Sequence, residues 1–156
     1  ELKKYQKIKE KRVYNILKSD YNPPHEYGER VNRDCGGKNS EEKEFGYDYG
    51  THKVFIEVDE NQHKSYCELG EINRMKNIYF NEGGQKIMFI RYNPDNYREN
   101  NKLIKKSQAD KEQILIKWLK YCESFSNIEY NLGVHYLFYD NHNENGKKCM
   151  EIDPYN

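Results

Sequence analysis

The spacing of apolar residues along the chain predicts three helices. In residues 2–21, Leu, Tyr, Ile and Val recur at helical intervals, and the prolines at 23–24 end this helix because proline cannot continue one. A second helix is predicted for residues 66–81, where the glycines at 83–84 close it. Residues 110–125 are strongly amphipathic and form the third predicted helix.

Apolar alternation and short apolar runs predict strands between these helices. The run KIMFIRY is apolar almost throughout, which is typical of a strand covered on both faces. The predicted strands cover residues 27–33, 45–50, 53–59, 86–92 and 134–140. The order αβββαβαβ indicates an α/β or α+β fold, in which a mixed sheet of four or five strands is flanked by helices, within one domain over residues 1–156.

The composition supports a folded protein despite a mean hydropathy of −1.21. Aromatic residues make up 14% of the chain and the formal net charge is zero, whereas disordered chains are poor in aromatics and usually charged. The four cysteines are widely spaced, and no apolar run is long enough for a signal peptide or membrane span. We therefore expect an intracellular, reduced protein with no membrane partner. Because the chain begins at Glu1, it is also consistent with a piece of a longer protein.

The charges are unevenly distributed along the chain. Residues 1–20 hold seven Lys or Arg against three acids, and residues 101–120 hold six Lys against two acids. Residues 41–75 hold nine acids against four bases. Basic flanks around an acidic middle would suit a metal site that acts on a polyanion, although ordinary surface charge is equally compatible with the pattern.

The candidate chemistry lies in the stretch YDYGTHKVFIEVDENQH. Alternation in a strand places Glu57 and Asp59 on one face, and Asp48, on the preceding strand across the turn, is expected to reach the same place. Carboxylate oxygens are the ligands that Mg²⁺ prefers, and His63 could then orient a water or take its proton. Any one of these residues alone is more simply a solvated or capping side chain, but the four together favour a site.

The second helix adds an acid and a base. Glu71 and Arg74 in ELGEINRM lie near the sheet side of that helix, and Glu10 holds a similar position on the first helix. As a plain alternative, Glu71 and Arg74 form an ordinary helix ion pair one turn apart. Carboxylates, a histidine and nearby cations together suit metal-assisted hydrolysis of a phosphodiester.

Three blocks, in this order, resemble the PD-(D/E)xK nuclease superfamily. They read FIEVDENQHKSY (55–66), ELGEINRM (68–75) and MFIRYNPD (88–95), within a match over about residues 5–97. The pattern is similar to the branch of the very-short-patch repair and small homing endonucleases, and to endonuclease-like proteins of large DNA viruses. The resemblance implies a restriction-endonuclease-like fold and metal-dependent cleavage of DNA, in the cytoplasm or nucleus of a host and from a gene that could be viral.

The resemblance also implies roles for individual residues. The implied catalytic residues are Asp48, Glu57, Asp59, His63 and Glu71, of which Asp48, Glu57 and Asp59 would bind Mg²⁺ (or Mn²⁺). Glu10 corresponds to the acid of the N-terminal helix. Two positions depart from the motif: Tyr47 replaces its proline and Asp59 replaces its lysine, so Arg91 is one candidate for the missing positive charge.

Basic residues outside the motif are expected to contact the DNA backbone, which positions a protein without reading sequence. The candidates are Arg74, Arg91, Lys102, Lys105 and Lys106. Double-strand cleavage would call for a homodimer or a larger DNA-processing assembly. Two alternatives remain open: a catalytically inactive nucleic-acid-binding module with the same fold, and an RNA-directed nuclease domain.

Overall fold

Three helices and eight strands make up the computed structural model, which describes residues 2–30, 42–63, 67–141 and 149–156. The helices are α1 (Leu2–Asp20), α2 (Glu68–Asn81) and α3 (Gln108–Cys122). The strands are β1 (Glu26–Arg30), β2 (Glu42–Asp48), β3 (His52–Val58), β4 (Lys86–Tyr92), β5 (Tyr97–Glu99), β6 (Lys102–Ile104), β7 (Leu132–Leu137) and β8 (Met150–Glu151). Short 3-10 turns follow β3 at Glu60–His63 and α3 at Phe125–Asn127.

Six of the strands form one mixed sheet in the order β1-β2-β3-β4-β7-β8. The pairs β3–β4 and β4–β7 are parallel, and the other three pairs are antiparallel. The predicted mixed α/β sheet flanked by helices is therefore confirmed, and the observed order contains the predicted elements with β5, β6 and β8 in addition. The sheet has six strands rather than four or five, because the chain adds β8 at one edge.

The helices cover both faces of the sheet and divide the core in two. Val13 of α1 and Leu115 of α3 pack against one face, where Ile56 and Ile90 lie. The other face is covered by α2, whose buried residues are Met75, Ile78 and Tyr79. Strands β3 and β4 are buried on both sides, which explains the apolar run that the sequence shows at 86–92.

Two features differ from the sequence-based expectation. Residues 97–104, which lie outside the predicted strands and helices, form the separate hairpin β5–β6, whose turn residues Asn100 and Asn101 have φ of 48° and 65°. Asparagine tolerates this left-handed backbone, so the turn is a favourable one. His52 falls in the turn between the predicted strands 45–50 and 53–59, where a side chain is expected to be exposed. Instead it begins β3 and is fully buried, and its Nε2 donates to the carbonyl oxygen of Cys122 at 2.6 Å, at the end of α3.

None of the helices in the described residues combines the length and the apolar content that crossing a membrane requires.

Candidate active site

The acidic residues of interest lie where the parallel strands end. Because β3, β4 and β7 run in the same direction, their carboxyl ends meet at one edge of the sheet. In the ladder, Glu57 of β3 is the partner of Arg91 of β4, and Arg91 is the partner of Tyr136 of β7. The carboxyl edge of a parallel sheet is where α/β proteins usually bind ligands.

Asp59 and Glu71 are held by one arginine. Arg91 donates from Nε to Asp59 Oδ2 at 2.5 Å and from Nη2 to Asp59 Oδ1 at 2.9 Å. The same Nη2 lies 2.6 Å from Glu71 Oε2, on α2. The Tyr139 hydroxyl also donates to Asp59 Oδ2. Asp59 is fully buried and Arg91 is 2% exposed, so this bidentate pair is sealed from solvent.

Glu57 is also buried, but its charge is offset less completely than that of Asp59. Its side chain lies 3.4 Å from Arg74 Nη2, at the limit of a hydrogen bond, and the residue is only 3% exposed. Burial raises the pKa of Glu57 to about 7, although the charges of Arg74 and Arg91 oppose the rise and Asp59 adds to it. Glu57 is therefore a carboxyl group that exchanges its proton near neutral pH.

Glu44 on β2 is a fourth acid at this place, and the sequence analysis missed it. One of its carboxylate oxygens accepts a hydrogen bond from the backbone N–H of Val58. Burial first and the charge of Glu57 second raise the pKa of Glu44 well above its usual range. We refer to Glu44, Glu57, Asp59 and Glu71 as the carboxylate cluster.

Counting residues back from the hairpin turn would have found Glu44. The β2–β3 register pairs Phe45 with Ile56, so the next pair joins Glu44 to Glu57. Directly opposed residues of an antiparallel pair are close neighbours. The position of Glu44 opposite Glu57 could therefore have been predicted from the number of residues between each acid and the turn.

The same register removes Asp48 from the site. Asp48 pairs with Lys53, four residues before Glu57, which corresponds to about 13 Å along the strand. It is exposed, and its Oδ1 accepts the Gly50 N–H at 2.9 Å within the turn. The prediction that Asp48 joins Glu57 and Asp59 is wrong, because antiparallel pairing carries it to the opposite end of β3.

Of the two remaining predicted acid–base residues, the structure describes the side chain of Glu10 but not that of His63. His63 ends the turn that follows β3, but its side chain lies outside the described residues, so its predicted role stays a prediction. Glu10 on α1 is partly buried, and its negative charge contributes to the raised pKa of Glu44. The first helix thus brings one more acid toward the carboxylate cluster, as the sequence suggested.

The predicted nucleic-acid contacts also separate into two groups. Lys102 and Lys105, on and just after β6, are exposed, and Lys106 is half-buried. The Arg74 side chain is 24% exposed beside Glu57. Arg91, by contrast, is enclosed between Asp59 and Glu71 and does not reach a surface that a nucleic acid could contact, which contradicts its predicted contact role.

The geometry of these acids indicates how they could bind a metal ion. Across residues 2–30, 42–63, 67–141 and 149–156, no three His, Cys, Asp or Glu side chains converge closely enough to hold one. Mg²⁺ commonly uses only one or two carboxylates, with waters and substrate phosphates completing its shell. Glu44 and Glu57 fit this limited mode, because both are oxygen donors whose pKa values are raised, first by burial and then by the charge of a neighbouring acid.

Comparison of the chain with models of protein families, with curated proteins and with solved structures finds no match in any of the three.

Proposed function

We propose that the protein is a metal-dependent endonuclease that hydrolyses phosphodiester bonds of DNA. The observation that carries the proposal is Glu57, a buried carboxyl group with a pKa near 7 beside a second raised carboxyl group, Glu44. Such a pair at the carboxyl edge of a parallel sheet is the type of group that a divalent cation would stabilise. The ordered blocks that resemble PD-(D/E)xK nucleases support the same activity.

Glu44 and Glu57 would hold the Mg²⁺ (or Mn²⁺). A metal bound there would polarise a phosphoryl oxygen and acidify a water. Because Glu57 must lose its proton to act as a ligand, cation binding near pH 7 would release a proton to solvent. The fixed guanidinium of Arg91 keeps Asp59 and Glu71 in place while this occurs.

The substrate backbone would approach the carboxylate cluster where the side chains of Arg74 and Glu71 are partly exposed. Arg74, partly exposed beside Glu57, is the cation best placed to meet a phosphate. Lys102 and Lys105 would add contacts at longer range. These contacts give affinity that falls steeply with salt and carry no sequence information.

Cleavage of end-labelled duplex DNA, single-stranded DNA and RNA with Mg²⁺, Mn²⁺ or EDTA tests the proposal. Wild type is compared with Glu57→Gln, which keeps the shape but loses the charge. The matched control is Asp48→Asn, the same change at the acid that the register places away from the site. We expect cleavage of duplex DNA that needs the metal, falls about a hundredfold or more in Glu57→Gln and persists in Asp48→Asn. Unchanged cleavage by Glu57→Gln would refute the assignment.

One observation favours a second function, an inactive nucleic-acid-binding module with the same fold. Arg91 already neutralises Asp59 with two hydrogen bonds, and Arg74 lies against Glu57, so part of the acid charge is compensated within the protein. A module of this type would bind DNA in a salt-dependent way, cut nothing, and gain no thermal stability from Mg²⁺. Cleavage confined to the RNA lane would instead identify an RNA-directed nuclease.

A further inference from the structure

A cleft of about 440 Å³ opens among the loops that follow β3, β4 and β7. Its lining includes Asn61, Asp95, Asn96, Arg98, Leu103 and Asp140. Asn61 follows Asp59 by two residues along the chain, and Asp140 follows Tyr139, whose hydroxyl donates to Asp59. The cleft and the carboxylate cluster therefore share two chain segments, and its volume lies within the range of small-ligand pockets.

The walls of the cleft are fixed by hydrogen bonds. The Asn61 N–H donates to Asp95 Oδ2 at 2.7 Å. The Gln62 side-chain amide joins Asp140 twice, by donating from Nε2 to Oδ1 at 2.9 Å and by accepting the Asp140 N–H at 2.7 Å. Asp140 Oδ1 also accepts the Arg98 N–H at 2.8 Å, which ties the β5–β6 hairpin to the same wall.

Unusual backbone conformations gather around this cleft. In the described part of the chain, the non-glycine residues with positive φ are Asn61, Gln62, Asn100, Asn101, Phe138 and Asn141. All six fall in the three segments that border the cleft. Asparagine tolerates this region, but Gln62 and Phe138 do not, and such residues cost about 1–3 kcal/mol each. Strain of this kind persists where the surrounding structure holds it, and it is concentrated at ligand sites.

The side chains in the cleft indicate the chemistry of its ligand. Asp95 and Asp140 supply acceptors, while Arg98 and the exposed amide of Asn96 supply donors. Leu103, which is 47% exposed, adds an apolar side. Lys9 Nζ lies 2.5 Å from Asp95 Oδ1 and offsets its charge, and Arg98 lines the same cleft as Asp140, so the charges are balanced and favour a neutral ligand over phosphate. A flat, neutral group with both N–H donors and acceptors matches this set. A nucleobase has this chemistry.

We propose that the cleft binds one nucleobase of the substrate, unstacked from its neighbours, next to the phosphodiester that is cut. This inference rests on the proposed function, and it assigns the selective part of binding to the base pocket rather than to the lysines. Enzymes that hold an unstacked base read it through hydrogen bonds and apolar contacts within a pocket.

The test is titration of the whole chain with the four deoxynucleoside 5′-monophosphates in EDTA, followed by calorimetry or by NMR shifts. Inorganic phosphate is the comparison ligand. Leu103→Trp fills the cleft from an exposed position, and Leu69→Trp makes the same change at another exposed leucine, on α2 and outside the cleft. Circular dichroism of both variants confirms that they fold.

We expect at least one nucleotide to bind wild type and Leu69→Trp with equal affinity. The same nucleotide should bind Leu103→Trp at least tenfold more weakly. Inorganic phosphate should bind wild type less well than the nucleotide does. Binding that Leu103→Trp leaves unchanged, equal binding of phosphate, or no binding would overturn the inference. Since EDTA removes any metal, these outcomes do not depend on cleavage. Failure here with metal-dependent cutting intact would reject the base pocket alone, and the reverse result would reject the nuclease alone.

Discussion

Both ends of β3 bury a polar side chain, but the two side chains differ in how completely they are hydrogen-bonded. At the start of the strand, His52 is fully buried with its two ring nitrogens near neutral partners, the Cys122 carbonyl at 2.6 Å and the Thr51 hydroxyl at 2.8 Å. At its end, Glu57 is buried beside other acids and meets Arg74 only at 3.4 Å. Complete pairing at one end and incomplete pairing at the other distinguish a structural polar group from a candidate functional one.

Among the changes that test this comparison, removal of Arg91 is expected to lower the free energy of unfolding most. Arg91→Met leaves Asp59 buried without its bidentate partner, which should lower the free energy of unfolding by about 3–5 kcal/mol. Urea denaturation measures the loss, and Arg91→Lys should recover part of it. Arg98→Met, at an exposed arginine, is the control and should stay within about 0.5 kcal/mol of wild type. A small loss in Arg91→Met would mean that Asp59 does not depend on the pair.

The second prediction concerns pH. Since the pKa of Glu57 is raised to about 7 in the folded protein, the folded state holds a proton that the unfolded state has released between about pH 4.5 and 7. Stability should therefore fall as pH rises through that window, by about 3 kcal/mol from Glu57, and should level off above it. Glu44 contributes in the same direction.

Glu57→Gln removes this proton exchange, so its stability should fall less than that of wild type between pH 5 and pH 8. Glu129→Gln, at an exposed acid, is the matched control and should retain the full wild-type fall. Urea denaturation at both pH values checks the difference. Parallel curves for wild type and Glu57→Gln would contradict a raised pKa at Glu57.

At the other end of β3, replacing His52 should have a moderate effect. His52→Leu leaves the Cys122 carbonyl buried without its donor, which should cost about 1–3 kcal/mol in the free energy of unfolding. Thermal denaturation measures the cost, and His52→Gln, which keeps a donor, should restore part of it. DNA cleavage per folded molecule should stay at the wild-type rate. A selective loss of cleavage would show that this end of the strand also serves the site.

The smallest effect is expected for Asp48→Asn. Asparagine can still accept the Gly50 N–H, so the unfolding free energy should change by less than about 0.5 kcal/mol. Addition of Mg²⁺ should raise the melting temperature of wild type and of Asp48→Asn equally, and that of Glu57→Gln much less. A loss of the Mg²⁺ effect in Asp48→Asn would return this residue to the metal site.

The sequence was sufficient for the three helices and the five longer strands, because buried strands and amphipathic helices show clear periodicity. KIMFIRY became β4 over the predicted residues 86–92. The hairpin β5–β6 was missed because its two strands have only three residues each and depend on a turn of two asparagines. Leu69 has the helical spacing of the apolar residues Ile72 and Met75, but it is 64% exposed in the first turn of α2.

For the candidate site, alternation predicted that Glu57 and Asp59 lie near each other, and both do lie next to Arg91, but strand pairing decided their other neighbours. Asp48 was too far and Glu44 was overlooked, because both depend on the antiparallel register rather than on local spacing. The burial of Arg91 could not be read from the sequence, since it results from carboxylates that β3 and α2 supply from distant positions. Long-range pairing, unlike periodicity, is not visible within a short window.

The pairing of Arg91 with β3 also bears on how the sheet assembles. In the native ladder Arg91 stands beside Glu57, on the face covered by α2. A slip of β4 by one residue would turn the guanidinium toward the apolar layer beneath α1 and α3, where Ile56 and Ile90 pack. An isolated charge in that layer is strongly disfavoured, so misaligned sheets would be rejected during folding. Arg91 would then disfavour any shifted register of β4 during folding, independently of any catalytic use of the acids around it.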